Sequence, residues 1–125
     1  MSKAIYLDSH ATTPMDKRVL DKMLPYFTEK FGNASSIDHA YGNEVLADIT
    51  EARENITKLI GADEDEIIFT SGATESDNMA IFGIAKNYSD KGKHIITTKI
   101  EHKAILEPCK ELEKEGFEVT YLDVD

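Results

Sequence analysis

Apolar residues three or four apart dominate several long stretches of this chain, and short β-branched or aromatic runs separate them. The strongest such stretch is 39–60, where Tyr41, Val45, Ile49, Ala52, Ile56 and Leu59 step along one helical face. Gly61 stands where a helix ends in a left-handed turn. Helices are also predicted over 74–88, on Met79, Ile81, Phe82 and Ala85, and over 102–115, closed by Gly116. An earlier one covers 16–27, with Val19, Leu20, Met23, Leu24 and Phe27 in helical spacing. The compact runs at 4–8, 66–70, 94–98 and 117–122 read as strands. Strands that alternate with helices of this length imply βαβ crossovers and a mostly parallel sheet, so the predicted fold class is α/β. The last three of these strands form the main sheet, an unfinished one of a kind that normally has both faces covered. The expectation is therefore the first part of a larger domain.

Composition narrows the picture a little. At 41% hydrophobic and 30% charged, the chain is built to fold in water. Its formal charge of −10, with no basic cluster to offset it, argues against a nucleic-acid partner or an anionic membrane. The single cysteine, Cys109, allows no internal disulfide, and the first residues carry no long apolar run that could be a leader or a membrane span. The expected compartment is the reducing cytoplasm.

The candidate chemistry begins at residues 67–78, where a β-branched and aromatic run gives way to hydroxyls and one glycine before an apolar-periodic helix. The first amides of that helix and its dipole suit an anion such as one phosphate group. Gly72 lets backbone come close to a ligand, and Thr74 offers a hydroxyl, with Ser71 and Ser76 as weaker candidates. The competing reading is a helix start capped by Ser71 or Thr74 with no ligand at all. Neither a Walker loop nor the three-glycine dinucleotide fingerprint is present. His102 falls at the carboxyl end of the next strand or the start of the helix after it, on the sheet edge where α/β folds gather ligands. There an imidazole can stack on a planar ring or move protons near neutral pH. His10, His39, His94 and His102 are dispersed without ligand spacing, so no metal site is expected.

Taken in order, Tyr6-Leu-Asp8 with Ala11-Thr-Thr-Pro14, Phe31-Gly-Asn33 with Ser35, Ser36 and His39, Thr70-Ser-Gly-Ala-Thr-Glu-Ser-Asp-Asn78, and Glu101-His102 resemble the cysteine desulfurases of the class V aminotransferase group. The resemblance covers essentially the whole chain, and the segment from Thr70 to Asn78 is its most specific part. It implies the amino-terminal part of a fold-type-I pyridoxal-phosphate enzyme, a homodimer with its active site near the subunit interface. Residues 1–15 would be an N-terminal strand and substrate-side segment, and 16–125 the first part of the cofactor-binding large domain. The implied reaction takes sulfur from L-cysteine, leaves L-alanine, and holds the sulfur as an enzyme persulfide. A sulfur-acceptor or iron–sulfur scaffold protein, or tRNA thiolation, would receive it.

By the same resemblance Gly72, Ala73 and Thr74 hold the cofactor phosphate, and His102 stacks over the pyridine ring and assists proton transfer. Ala11, Thr12 and Thr13 lie beside the substrate, and Asn33 belongs to a loop that approaches the site. Ser9 and His10 stand where many relatives have Asn and Ala, and Ala34 where a proline is common. The family's cofactor-bearing lysine, its pyridine-holding aspartate and its persulfide cysteine fall beyond residue 125. Lys103 and Cys109 are not substitutes: Lys103 belongs to the ring-stacking segment and Cys109 reads as a small core residue. The chain alone is therefore expected to be inactive. A selenocysteine lyase or an aminotransferase of the same group remains an alternative, as does a non-catalytic remnant that pairs through an open sheet edge.

Overall fold

The computed structural model describes residues 4–9 and 11–125, so His10 lies outside the described residues. The chain packs as two compact units, 1–67 and 68–125.

In the first unit Asp16 caps helix α1 (Lys17–Met23), its carboxylate accepting from the Arg18 amide at 2.8 Å. The periodicity predicted one helix over 16–27, but the structure breaks it at Leu24, and α2 (Pro25–Thr28) starts with Pro25 in its first turn. Proline has no amide to extend the preceding helix and its fixed φ suits a new start, so Pro25 was the available signal. Helix α3 (Ala40–Ile60) follows, capped by His39, whose Nδ1 accepts from the Gly42 amide at 3.2 Å, and closed by Gly61 at φ 72°. Lys30 and the Tyr26 hydroxyl both reach the Asp48 carboxylate of α3, at 2.8 and 2.9 Å. Between α2 and α3, the chain lies directly on the first turn of α3. A Cβ at Gly42 would stand 1.9 Å from the Ser36 carbonyl oxygen and 2.8 Å from that of Asn33, which only glycine permits.

Two expected strands are absent. Residues 4–8 run without strand pairing, and at 66–70 the expected strand is replaced by a 3-10 turn (Glu64–Glu66) and an irregular segment. The turn is held by the Asp63–Glu66 capping box, and Arg53 holds the Ile67 carbonyl. A strand exists only where a neighbour completes its ladder. Here Ile68 and Phe69 stay 64% and 49% exposed, with no strand beside them among the described residues.

The second unit contains α4 (Ala73–Asn87), β1 (His94–Thr98), α5 (Lys103–Lys114) and β2 (Glu118–Leu122). The strands pair in parallel, with Ile95 opposite Val119 and Thr97 opposite Tyr121, and α5 is the crossover between them. The α/β class is thus realised in one βαβ unit preceded by a helix. Leu112, Ala85 and Phe117 form its core, with Ile81, Phe82 and Ile95 packed against them, so α4 and α5 share one face of the sheet. Cys109, buried in α5, has its thiol pKa pushed up by burial and by nearby Glu113, as suits a core residue rather than a nucleophile. Ile96 and Leu122 face away from both helices and stay exposed. No helix among the described residues is long and apolar enough to cross a membrane.

Candidate functional site

The junction before α4 is organised by backbone rather than by side-chain caps. Gly72 is the N-cap, and no side chain caps the helix, so neither Ser71 nor Thr74 takes that role. The first backbone bond into the helix runs from the Ser76 amide to the Gly72 carbonyl at 3.1 Å. The amides of Ala73, Thr74 and Glu75 therefore precede the first helical bond and project from the end of the helix, as helix geometry requires. Gly72 has an extended φ of 160°, and a Cβ there would meet nothing within 4 Å. The space beside its Cα is therefore open.

The surrounding hydroxyls are partly committed. Thr70 Oγ1 and Ser76 Oγ lie 2.6 Å apart and both contact the Gly72 carbonyl at 3.3 Å. The Thr74 hydroxyl has no such partner among the described residues and is the free donor of the turn. Glu75 does not point at the open amides: its Oε2 accepts from both the Ser71 amide and the Ser71 hydroxyl, each at 2.7 Å. Those two donors, the hydroxyl foremost, hold its carboxyl below the usual glutamate range. The Glu75 charge is thereby turned toward the preceding loop.

His102 is the N-cap of α5, with Nδ1 accepting from the Ala104 amide at 3.1 Å. That bond fixes the tautomer: in the neutral ring Nδ1 keeps its lone pair and the proton sits on Nε2. The imidazole is exposed, free to offer a face or its Nε2 edge. Lys103 is exposed beside it. One side chain joins the two helix starts: Asn78 Nδ2 donates to the Thr74 carbonyl at 2.8 Å and the Ala104 carbonyl at 3.3 Å. Sequence reasoning missed this link, although the proline at 108 was a usable sign of it.

The other predicted residues belong to the first unit. Thr12 and Thr13 border a shallow concavity with Tyr6 and Pro14, and the Tyr6 hydroxyl donates to the Asp8 and Thr12 carbonyls at 2.8 and 3.0 Å. Ala11 closes the turn, its amide 3.1 Å from the Asp8 carbonyl. Asn33 makes an Asx turn, its Oδ1 accepting from the Ser35 amide at 2.9 Å. These two segments are local turns of one unit, and the Gly72 junction and His102 belong to the other.

The glycine-capped start of α4 and the histidine-capped start of α5 thus stand on one βαβ unit, joined by Asn78. The chain belongs to the aminotransferase class-V family, which it matches over residues 5–125. More particularly, it is 62% identical over its whole length to the cysteine desulfurase IscS of Dictyoglomus turgidum, covering 32% of that protein. It is 57% identical over 98% of its length to the mitochondrial cysteine desulfurase of Drosophila melanogaster, covering 26% of it. Among solved structures, a NifS-like protein superposes with a TM-score of 0.84 at 43% identity, over 94% of this chain and 32% of that one. A structure described as SspA in complex with cysteine gives 0.82 at 44% identity, over 94% and 33%. The fold is thus an amino-terminal part of the NifS-like architecture, and the chain spans between about a quarter and a third of the length of these relatives. Class-V aminotransferases and cysteine desulfurases depend on pyridoxal phosphate.

Proposed function

We propose that this chain supplies the phosphate-anchoring and ring-facing part of a pyridoxal-phosphate-dependent cysteine desulfurase. The observation that carries this is the glycine-capped start of α4, with three unpaired amides and a free Thr74 hydroxyl, in a chain that matches the family over residues 5–125. The residues fit the cofactor: Gly72 leaves the space, the amides of Ala73, Thr74 and Glu75 supply donors, and Thr74 Oγ1 adds a fourth. The positive end of the α4 dipole favours the phosphate charge. When bound, pyridoxal phosphate supplies an electron sink for the α-carbon of an amino acid.

Around it, the chain binds, orients and shields. His102, tethered through Nδ1, presents its ring for stacking and keeps Nε2 as the nitrogen that exchanges a proton with the substrate. Ala11, Thr12, Thr13 and Asn33 belong on the substrate side, where L-cysteine is the substrate this reading favours. The sulfur passes on to an acceptor or iron–sulfur scaffold protein, and L-alanine is released. The working protein is a cytoplasmic homodimer.

Alanine release from L-cysteine by the purified holoenzyme, set against selenocysteine, tests the reaction, and equal turnover of both or of selenocysteine alone contradicts it. Thr74→Ala tests the site. Loss of one hydrogen bond to a charged group, about 1.5–3 kcal/mol, should weaken pyridoxal-phosphate binding by roughly 10- to 100-fold while leaving pyridoxal binding nearly unchanged. Equal loss for both ligands would rule out the phosphate role of Thr74.

A further inference from the structure

Helix α5 contains a proline, Pro108, at its sixth residue. In an unbroken helix the amide of residue 108 would donate to the carbonyl of residue 104. Proline has no amide hydrogen, so the Ala104 carbonyl loses its helical donor. Ala104 is only 6% exposed, and a buried carbonyl left unpaired is costly. The donor comes from α4 instead: Asn78 Nδ2, 26 residues earlier in the chain, at 3.3 Å. The same nitrogen stands 2.8 Å from the carbonyl of Thr74. One amide group thus bridges the first turn of α4 and the first turn of α5. The amide of Ala104, on the residue whose carbonyl Asn78 holds, is the donor that fixes His102 Nδ1.

We propose that Asn78 is a positioning residue which, through the carbonyl freed by Pro108, sets the spacing and orientation of His102 relative to the phosphate-facing turn at Thr74. The proposal rests on the reading that the phosphate lies at α4 and the ring beside His102. In this arrangement the proline is a device: it breaks one bond inside α5 so that the helix start is tied to α4 rather than closed on itself. A leucine at position 78 could fill the same space but could not make the tie.

The test uses the holoenzyme and its apoprotein, with Asn78→Ala made in the natural and the Pro108→Ala backgrounds. Pro108→Ala restores an amide to α5 and removes a helix breaker, which gives Ala104 an internal donor and makes Asn78 redundant. With Pro108 in place, Asn78→Ala should weaken pyridoxal-phosphate binding by about three- to tenfold, the range spanned by one net hydrogen bond. It should also change the visible circular dichroism of the bound cofactor and speed hydrogen exchange of the Ala104 amide in the apoprotein by a similar factor. In the Pro108→Ala background the same step should shrink to less than about twofold. A purely packing role would lower thermal stability of apoprotein and holoenzyme alike, with the dichroism unchanged and equal steps in both backgrounds; that pattern overturns the proposal. If His102→Ala alters the dichroism while Asn78→Ala leaves dichroism and affinity untouched, the positioning role is wrong and the reading of the site stands. If neither His102→Ala nor Thr74→Ala affects the bound cofactor, the reading itself fails and the positioning role falls with it.

Discussion

At the scale of single residues, the junction before α4 solves a problem that the sequence poses openly. A carboxylate at the third position of a helix favours the dipole, yet here it sits beside the place where a second anion would bind. Glu75 resolves the conflict by turning back onto Ser71, whose amide and hydroxyl both donate to it at 2.7 Å. Because these bonds favour the ionised form, the folded carboxyl titrates below the ordinary value of 4.5. The sign follows: the latch is fully present above that value and is lost as pH falls through the lower folded pKa. Side-chain NMR titration should give Glu75 a midpoint below 4.5, and Ser71→Ala should return it upward. A midpoint at or above the free value would mean that the latch does not exist in solution.

At the scale of elements, α5 carries the most weight, because its buried face holds the only fully enclosed large side chain among the described residues, Leu112 at 0% exposure. Leu112→Ala should lower stability by about 2–5 kcal/mol, measurable by denaturant unfolding, since it removes contacts from the centre of a small core. A loss under about 1 kcal/mol would mean that the core tolerates collapse there. Periodicity alone made α3, α4, α5 and both paired strands legible: a helix closes its own hydrogen bonds, as α3 does although Tyr41 and Leu59 stay exposed, and β1 and β2 have each other. The first helix was misjudged where Pro25 interrupts an otherwise good pattern. The strands expected at 4–8 and 66–70 were misjudged for another reason: pattern reports a run's preference, whereas a ladder needs a neighbour. At the site, Gly72 and Thr74 were readable from residue type, and His102 from its place at a strand's end. The Asn78 bridge was not: Pro108 marks the Ala104 carbonyl as lacking its helical donor, but the side chain that replaces that donor lies 26 residues away.

At the scale of the whole molecule, the described surface keeps many large apolar side chains in the open, among them Ile5, Leu7, Phe27, Leu59 and Ile100. The chain also spans between about a quarter and a third of the length of its relatives. It does contain a βαβ unit whose preceding helix begins at a glycine without a side-chain cap and whose crossover helix is led by an imidazole. In the proposed enzyme these two beginnings hold one ligand, which a crystal structure of the protein with pyridoxal phosphate would reveal. Phosphate oxygens are expected about 2.7–3.2 Å from the amides of Ala73, Thr74 and Glu75 and from Thr74 Oγ1, with the His102 ring lying over the pyridine face. A phosphate bound away from the start of α4, or His102 turned off the ring, would contradict this arrangement.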